Sequence, residues 1–212
     1  MSAESVTHLC NMALARMGHS KPLTDFQSDT TKAGDIARLF YANTRDQMLR
    51  SHPWNFSIRR AALAASGTAP NHEYDYAFPL PDDCLRVLRT SWEATGWSAQ
   101  DEAVRVFWDQ PTVPYRIERH GTSSALLANE DSVSIEYIAR VEDTSTFDPM
   151  FTDCLVQRLA AEFSMPLADN ASLTKNLWDI YNQKMSEARV MDAQEGSPRD
   201  VVDTSGWVQA RV

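Results

Sequence analysis

The side chains in this sequence with the chemistry for catalysis are few and scattered. His52 lies in the run RSHPWNFS (50–57), which holds no carboxylate or nucleophile. General acid–base work needs such a partner, so the run reads as structural. Asp82 and Asp83 form a carboxylate pair after Pro81. Adjacent side chains point to opposite sides of an extended chain, and after proline such a pair more often builds a turn or a cap. His72-Glu73 and His120-Gly121 sit beside turn residues and read as exposed. No GxSxG elbow presents a nucleophile, and neither GxxxxGK[ST] nor GxGxxG occurs to cradle a phosphate.

Cys10, Cys84 and Cys154 are odd in number and widely spaced, and each sits in an apolar run. They read as buried free thiols of a reducing compartment. With neither CxxC nor HxxxH spacing there is no zinc signature. The expectation is no catalytic residue, no metal and no cofactor. The rival reading is a small cytosolic enzyme whose pocket is lined by His52, Trp54 and Tyr74.

The formal net charge is −9, which argues against a dedicated nucleic-acid binder, because phosphate contact needs clustered Lys and Arg. An apolar fraction of 43% and a charged fraction of 23% predict a folded globular chain rather than a disordered one. The first ten residues, MSAESVTHLC, lack the basic segment and apolar run of a signal peptide. No apolar stretch is long enough to span a bilayer. A soluble protein made in the cytosol is expected, with no membrane partner.

The elements that would position these residues follow from periodicity. Val6, Leu9, Cys10, Ala13, Leu14 and Met17 make one helical stripe over 2–17, closed by Gly18 and kept closed by Pro22. A second stripe runs Ala33, Ile36, Ala37, Phe40, Tyr41, Thr44, Met48 and Leu49, with Asp35, Arg38, Arg45 and Asp46 on the other face, which is either solvated or a polar contact surface. This helix is expected to stop near Ser51-His52, since Pro53 disfavours helical geometry before it. Trp54 and Phe56 then alternate as in a strand, so His52, Pro53, Trp54 and Phe56 read as a structural joint.

Short β-type runs follow: Tyr74/Tyr76/Phe78, then 85–88, AVRVFWD (103–109), PYRIERHG (114–121), SSALLANED (123–131) and SVSIEYIARV (132–141). In the last of these Val133, Ile135, Tyr137 and Ala139 share a face. Helix returns with Phe151, Leu155, Leu159 and Phe163 aligned and is expected to break at Met165-Pro166. Asn170 or Ser172 would cap a last helix through Leu173, Leu177, Ile180, Tyr181, Lys184 and Met185.

The predicted class is α+β: a helical bundle from the N- and C-terminal helix pairs (1–52 and 146–195), an inserted antiparallel β domain (53–145) and an extended C-terminal arm (196–212). The arm carries Val201, Val202, Trp207 and Val208, too few apolar residues for a core of their own. Extended, the valine pair and the tryptophan would lie about 20 Å apart. Such an arm could dock on a portal or a neighbouring subunit, or fold back on its own helices.

Taken in order, four segments resemble one family. MALARMGHSKPLTDF (12–26), YANTRDQMLRSHPWNFSIRRAALA (41–64), YDYAFPLPDDCLRVLRT (74–90) and the stretch from Ile135 to Glu195 are similar to the tail tubular protein A family. These are the head-to-tail adaptors of short-tailed bacteriophages. The likeness covers nearly all of the chain up to Glu195, and is least over 95–129 and the arm. It implies a structural virion protein of the neck or tail with no catalytic residues, and it makes His52, Pro53, Trp54 and Phe56 architectural. It further implies a dodecameric ring below the portal protein, a platform for the tail tube or nozzle protein, and a lumen through which DNA passes without specific binding. The rivals are another neck connector or stopper of a long-tailed phage, and a plain intracellular binding module.

Overall fold

The computed structural model describes residues 5–70, 72–91 and 114–195. The protein is mixed α+β. Among the described residues there are helices α1 (Val6–Arg16), α2 (Lys32–Ser51), α3 (Pro149–Ala168) and α4 (Ala171–Gln194). Six strands join them: β1 (Ile58–Leu63), β2 (Tyr76–Pro79), β3 (Cys84–Ser91), β4 (Arg116–His120), β5 (Ser123–Ala128) and β6 (Val133–Ala139). The strands form two three-stranded sheets, ordered β1-β6-β3 and β2-β5-β4. The run 103–109 lies outside the described residues.

The chain divides into two compact units. One holds 5–59, 82–88 and 137–195; the other holds 60–70, 72–81, 89–91 and 114–136. The sequence reading had placed all of 53–145 in the β insertion, whereas 53–59, 82–88 and 137–145 belong to the helical unit. The physical reason lies in the side chains: Trp54, Ile138 and Val141 are part of the core of that unit, and Phe56, Leu85 and Leu88 pack against it.

In the helical unit α3 packs against α1, α2 and α4. Its stripe of Phe151, Leu155, Leu159 and Phe163 is fully buried. Leu9, Cys10, Ala13 and Leu14 of α1 meet the same core, as do Leu177, Tyr181 and Met185 of α4. Polar caps set the ends. Ser5 accepts from His8 N–H, Thr31 from Gly34 N–H, Asp148 from Met150 and Phe151 N–H, and Asn170 from Leu173 N–H. Gly18, at φ 80°, closes α1 while His19 N–H returns to Leu14 C=O, an arrangement that glycine adopts without steric cost. Gly34 is needed for another reason: a Cβ there would sit 2.7 Å from the Asp29 carbonyl oxygen.

One helix expectation is corrected. Pro166 does not break α3, which continues to Ala168 and ends where Asp169 turns left-handed at φ 49°. Lacking an N–H, Pro166 loses the ladder bond to Glu162 C=O, and the helix runs on for two more residues without it. Of the two readings of the polar face of α2, contact is the one that holds for Arg45. It is 7% exposed and is neutralised by Asp46 at 2.9 Å and Glu142 at 3.2 Å.

The other unit is built on β5, which pairs antiparallel with β2 and with β4. Ala77, Ala125 and Leu127 form its small core, with Tyr74 packed against them. Glu136, in the last part of β6 within this unit, takes Arg60 at 3.0 Å and Arg89 at 2.6 Å.

Candidate functional site

The joint after α2 is the most elaborate constellation that the sequence singled out. Pro53 ends α2, and His52 at the cap is extended, with φ −145° and ψ 142°. The next residues are not a strand. Asn55–Ser57 make a single 3-10 turn, with Ser57 N–H donating to Trp54 C=O at 2.9 Å, and β1 begins only at Ile58. The alternation of Trp54 and Phe56 nevertheless sends both rings to one place. Trp54 and Phe56 each meet Phe151 edge-on, at centroid distances of 5.2 and 5.1 Å, and Phe147 joins at 5.0 Å from Phe151.

Trp54 is fully buried, and its Nε1–H donates to Met48 C=O at 3.1 Å. A buried indole needs such an acceptor. The carbonyl used is one of those that the end of α2 leaves free, so the ring satisfies a helix terminus while filling the core.

His52 does have a carboxylate, but from far along the chain. Its Nε2–H donates to Asp192 Oδ2 in the last turn of α4 at 2.9 Å. Asn55 N–H donates to Asp192 Oδ1 at 3.1 Å, and Asn55 Nδ2 to the Asp192 carbonyl at 2.8 Å. Asp192 is thus shared by three donors and its side chain is 10% exposed. Nothing in 50–57 signals this clamp, because its acceptor lies 140 residues away on α4. Trp54 is buried and His52 is tied to Asp192.

The other candidates are placed individually. Asp82 and Asp83 form the expected turn, in which Asp83 holds Arg59 at 2.7 Å and accepts from Tyr137 Oη at 3.1 Å. Cys10 and Cys154 are buried, whereas Cys84 is only half-buried, and all three thiols are free. Burial pushes the thiols up, Cys10 to about 12 and Cys84 and Cys154 to about 11. His72 is exposed and His120 half-buried. Among the described residues no cluster of His, Cys, Asp or Glu is arranged to hold a metal ion, and no helix is long and apolar enough to cross a membrane. Val201, Val202, Trp207 and Val208 of the arm lie outside the described residues.

The helical unit also exposes large apolar side chains that its own fold does not cover. Leu39 on α2 is 72% exposed, and Val190 and Met191 on α4 are 56% and 51% exposed. Val190 and Met191 line a shallow groove with Met150, Ser186 and Glu187. Ile180 on α4 and Met165 on α3 are also exposed. Exposed apolar residues scattered singly are ordinary; a groove of them along one helix is a surface suited to protein contact. The sequence matches no model of a known protein family, and no curated protein matches it.

Proposed function

We propose that this chain is a structural subunit of a bacteriophage head-to-tail adaptor, a ring between portal and tail tube or nozzle that acts as a DNA conduit. The observation that carries the reading is the groove at Met150, Val190 and Met191, whose last two side chains are exposed, with Leu39 exposed separately on α2. Such residues are costly on a chain that stays alone and useful on one packed side by side. The order of the four adaptor-like segments along the sequence supports the same reading. The joint then serves as architecture, fixing the end of α4 to the end of α2 through Asp192.

Ring contacts of a permanent kind bury about 2,000 Å² or more. They are heterologous and close by rotation. The net charge of −9 suits a channel that repels phosphate instead of trapping it. The direct test is mass by light scattering with and without the cognate portal protein. Formation of a defined ring on the portal is the expected result. A chain that never associates with portal or with itself refutes the proposal, and so does turnover of a small molecule by the lone chain.

A further inference from the structure

In the unit built on β5, β4 is an edge strand. It pairs with β5 on one side and with no strand of the described residues on the other. The pairing of β5 shows which backbone groups of β4 face the open side. Ser124 C=O accepts from Leu80 N–H at 3.1 Å, toward β2, and both backbone groups of a residue in an antiparallel strand point the same way. Arg119, the register partner of Ser124, therefore carries its N–H and C=O on the open edge, and by alternation so does Ile117. The far edge of the sheet is partly taken, since Ala77 C=O accepts from Ser66 N–H at 2.7 Å.

An open edge is a template for another strand, and proteins commonly guard it with charge. The run RIERH (116–120) is exposed from Arg116 to Arg119, and its one apolar side chain, Ile117, is 45% exposed. Its charges exclude most partners but fit one. In a twofold contact the strand must complement itself, and outward residues must meet outward residues. Among the antiparallel registers centred within 117–119, the one centred on Glu118 sets that carboxylate against its own copy. The one centred on Arg119 sets guanidinium against guanidinium. Centring on Ile117 stacks isoleucine on isoleucine and places Arg116 opposite Glu118 on both sides of the axis. Arg116 and Glu118 also meet within the strand at 2.7 Å, and Glu73 lies 3.9 Å from Arg116. With side chains 59% and 44% exposed, the 2.7 Å pair rearranges at little cost. Affinity would come from the open backbone groups and the isoleucines, while the charges select the register.

We propose that β4 is the docking edge for a second copy of this chain, with the two strands antiparallel, Ile117 on the twofold axis and Arg116 of each copy facing Glu118 of the other. The outward N–H and C=O of Ile117 are exchanged with those of the second copy, which continues the β2-β5-β4 sheet across the axis. A strand this short buries less than the roughly 1,200 Å² of a stable complex, so the contact is weak, with a dissociation constant of about 0.1–1 mM. The inference does not rest on the adaptor reading and uses no residue of the helical unit.

The test is self-association of the full chain, followed by amide chemical shifts and sedimentation from about 0.02 to 2 mM, a range that brackets the expected constant. Shifts at 115–119 that rise together with mass are expected. Glu118→Arg and Arg116→Glu should each weaken self-association about tenfold, because each sets like charges opposite one another at two symmetric positions. A mixture of the two variants should associate at least as tightly as the original chain, since arginine then faces glutamate at both positions. Ile117→Pro should abolish association while leaving amide shifts outside β4 in place, because the N–H it removes points out of the sheet. The proposal is overturned if 115–119 do not respond to concentration, if both charge reversals associate as the original chain does, if their mixture is no tighter than either alone, or if Ile117→Pro still associates. Shifts confined to the helical unit would overturn it as well, while supporting the ring. Failure of ring assembly on the portal would leave all these outcomes untouched.

Discussion

If the 52–57 segment is a joint and not the edge of a site, removing Trp54 must damage the fold itself. Trp54 is fully buried and packs edge-on against Phe151 at 5.2 Å and His52 at 4.8 Å. Truncating a buried tryptophan to alanine costs about 3–5 kcal/mol, from lost transfer energy and the cavity left behind. The hydrogen bond adds less than it first suggests. Met48 C=O also accepts from Ser51 Oγ at 2.8 Å, so the carbonyl is not orphaned when the indole is gone. Trp54→Phe keeps most of the ring and loses the Nε1–H bond, for a cost of about 1–2 kcal/mol. The assay is equilibrium urea unfolding followed by circular dichroism, with m-values compared so that a change in midpoint reports stability. A loss below about 1 kcal/mol for Trp54→Ala would refute the reasoning, because a fully buried indole cannot be removed so cheaply from a packed core. So would equal losses for alanine and phenylalanine.

Two further outcomes follow from titratable groups in the helical unit. Asp153 is partly buried, which by itself raises its pKa, but hydrogen bonds from Lys184 and Arg16 and the attraction of both cations outweigh burial and hold it below the ordinary carboxylate value of 3.8. A depressed carboxylate contributes stability above its unfolded pKa and loses it as pH falls through the folded value. Asp153→Asn should therefore be the less stable protein near neutral pH, and the gap should close as pH drops below about 4; urea midpoints at a series of pH values measure it, and a constant gap contradicts the assignment. The cysteines give the second outcome. With Cys10 pushed up to about 12 and fully buried, alkylation in the native state should be slowest there. Half-buried Cys84 should react first, as mass spectrometry of iodoacetamide-treated protein would show, and a faster Cys10 contradicts the packing.

The sequence made local order legible and left long-range polar contacts hidden. The α1 stripe together with Gly18 specified both a helix and its end, and the capping at Gly18 and Asn170 appears where it was expected. The alternation of Val133, Ile135, Tyr137 and Ala139 marked β6, and all four are buried. Periodicity works there because one face of each element meets a core. The same tool misplaced 54–57, where Ser57 N–H and Oγ both return to Trp54 C=O and close a turn, and where the acceptor for Asn55 N–H is Asp192, 137 residues further on. It left the polar face of α2 open between solvent and contact, because the partner that buries Arg45, Glu142, lies far along the chain. The half-burial of Cys84 was hidden too, since an apolar neighbour in the sequence does not fix how much of a strand residue is covered.

The joint also separates two tasks that a single residue type could not perform. The rings of Trp54, Phe56, Phe147 and Phe151 supply area removed from water, a term that is large but indifferent to small displacements. Asp192 supplies little area, yet its two oxygens and its carbonyl accept from His52 and Asn55 in fixed directions. The aromatic cluster therefore makes the end of α2 and the start of α3 cohere, while the carboxylate sets where the last turn of α4 must lie against them. The exposed Val190 and Met191 stand immediately before Asp192 on the same helix. A clamp on that turn therefore fixes the position of the neighbouring exposed side chains as well as closing a core.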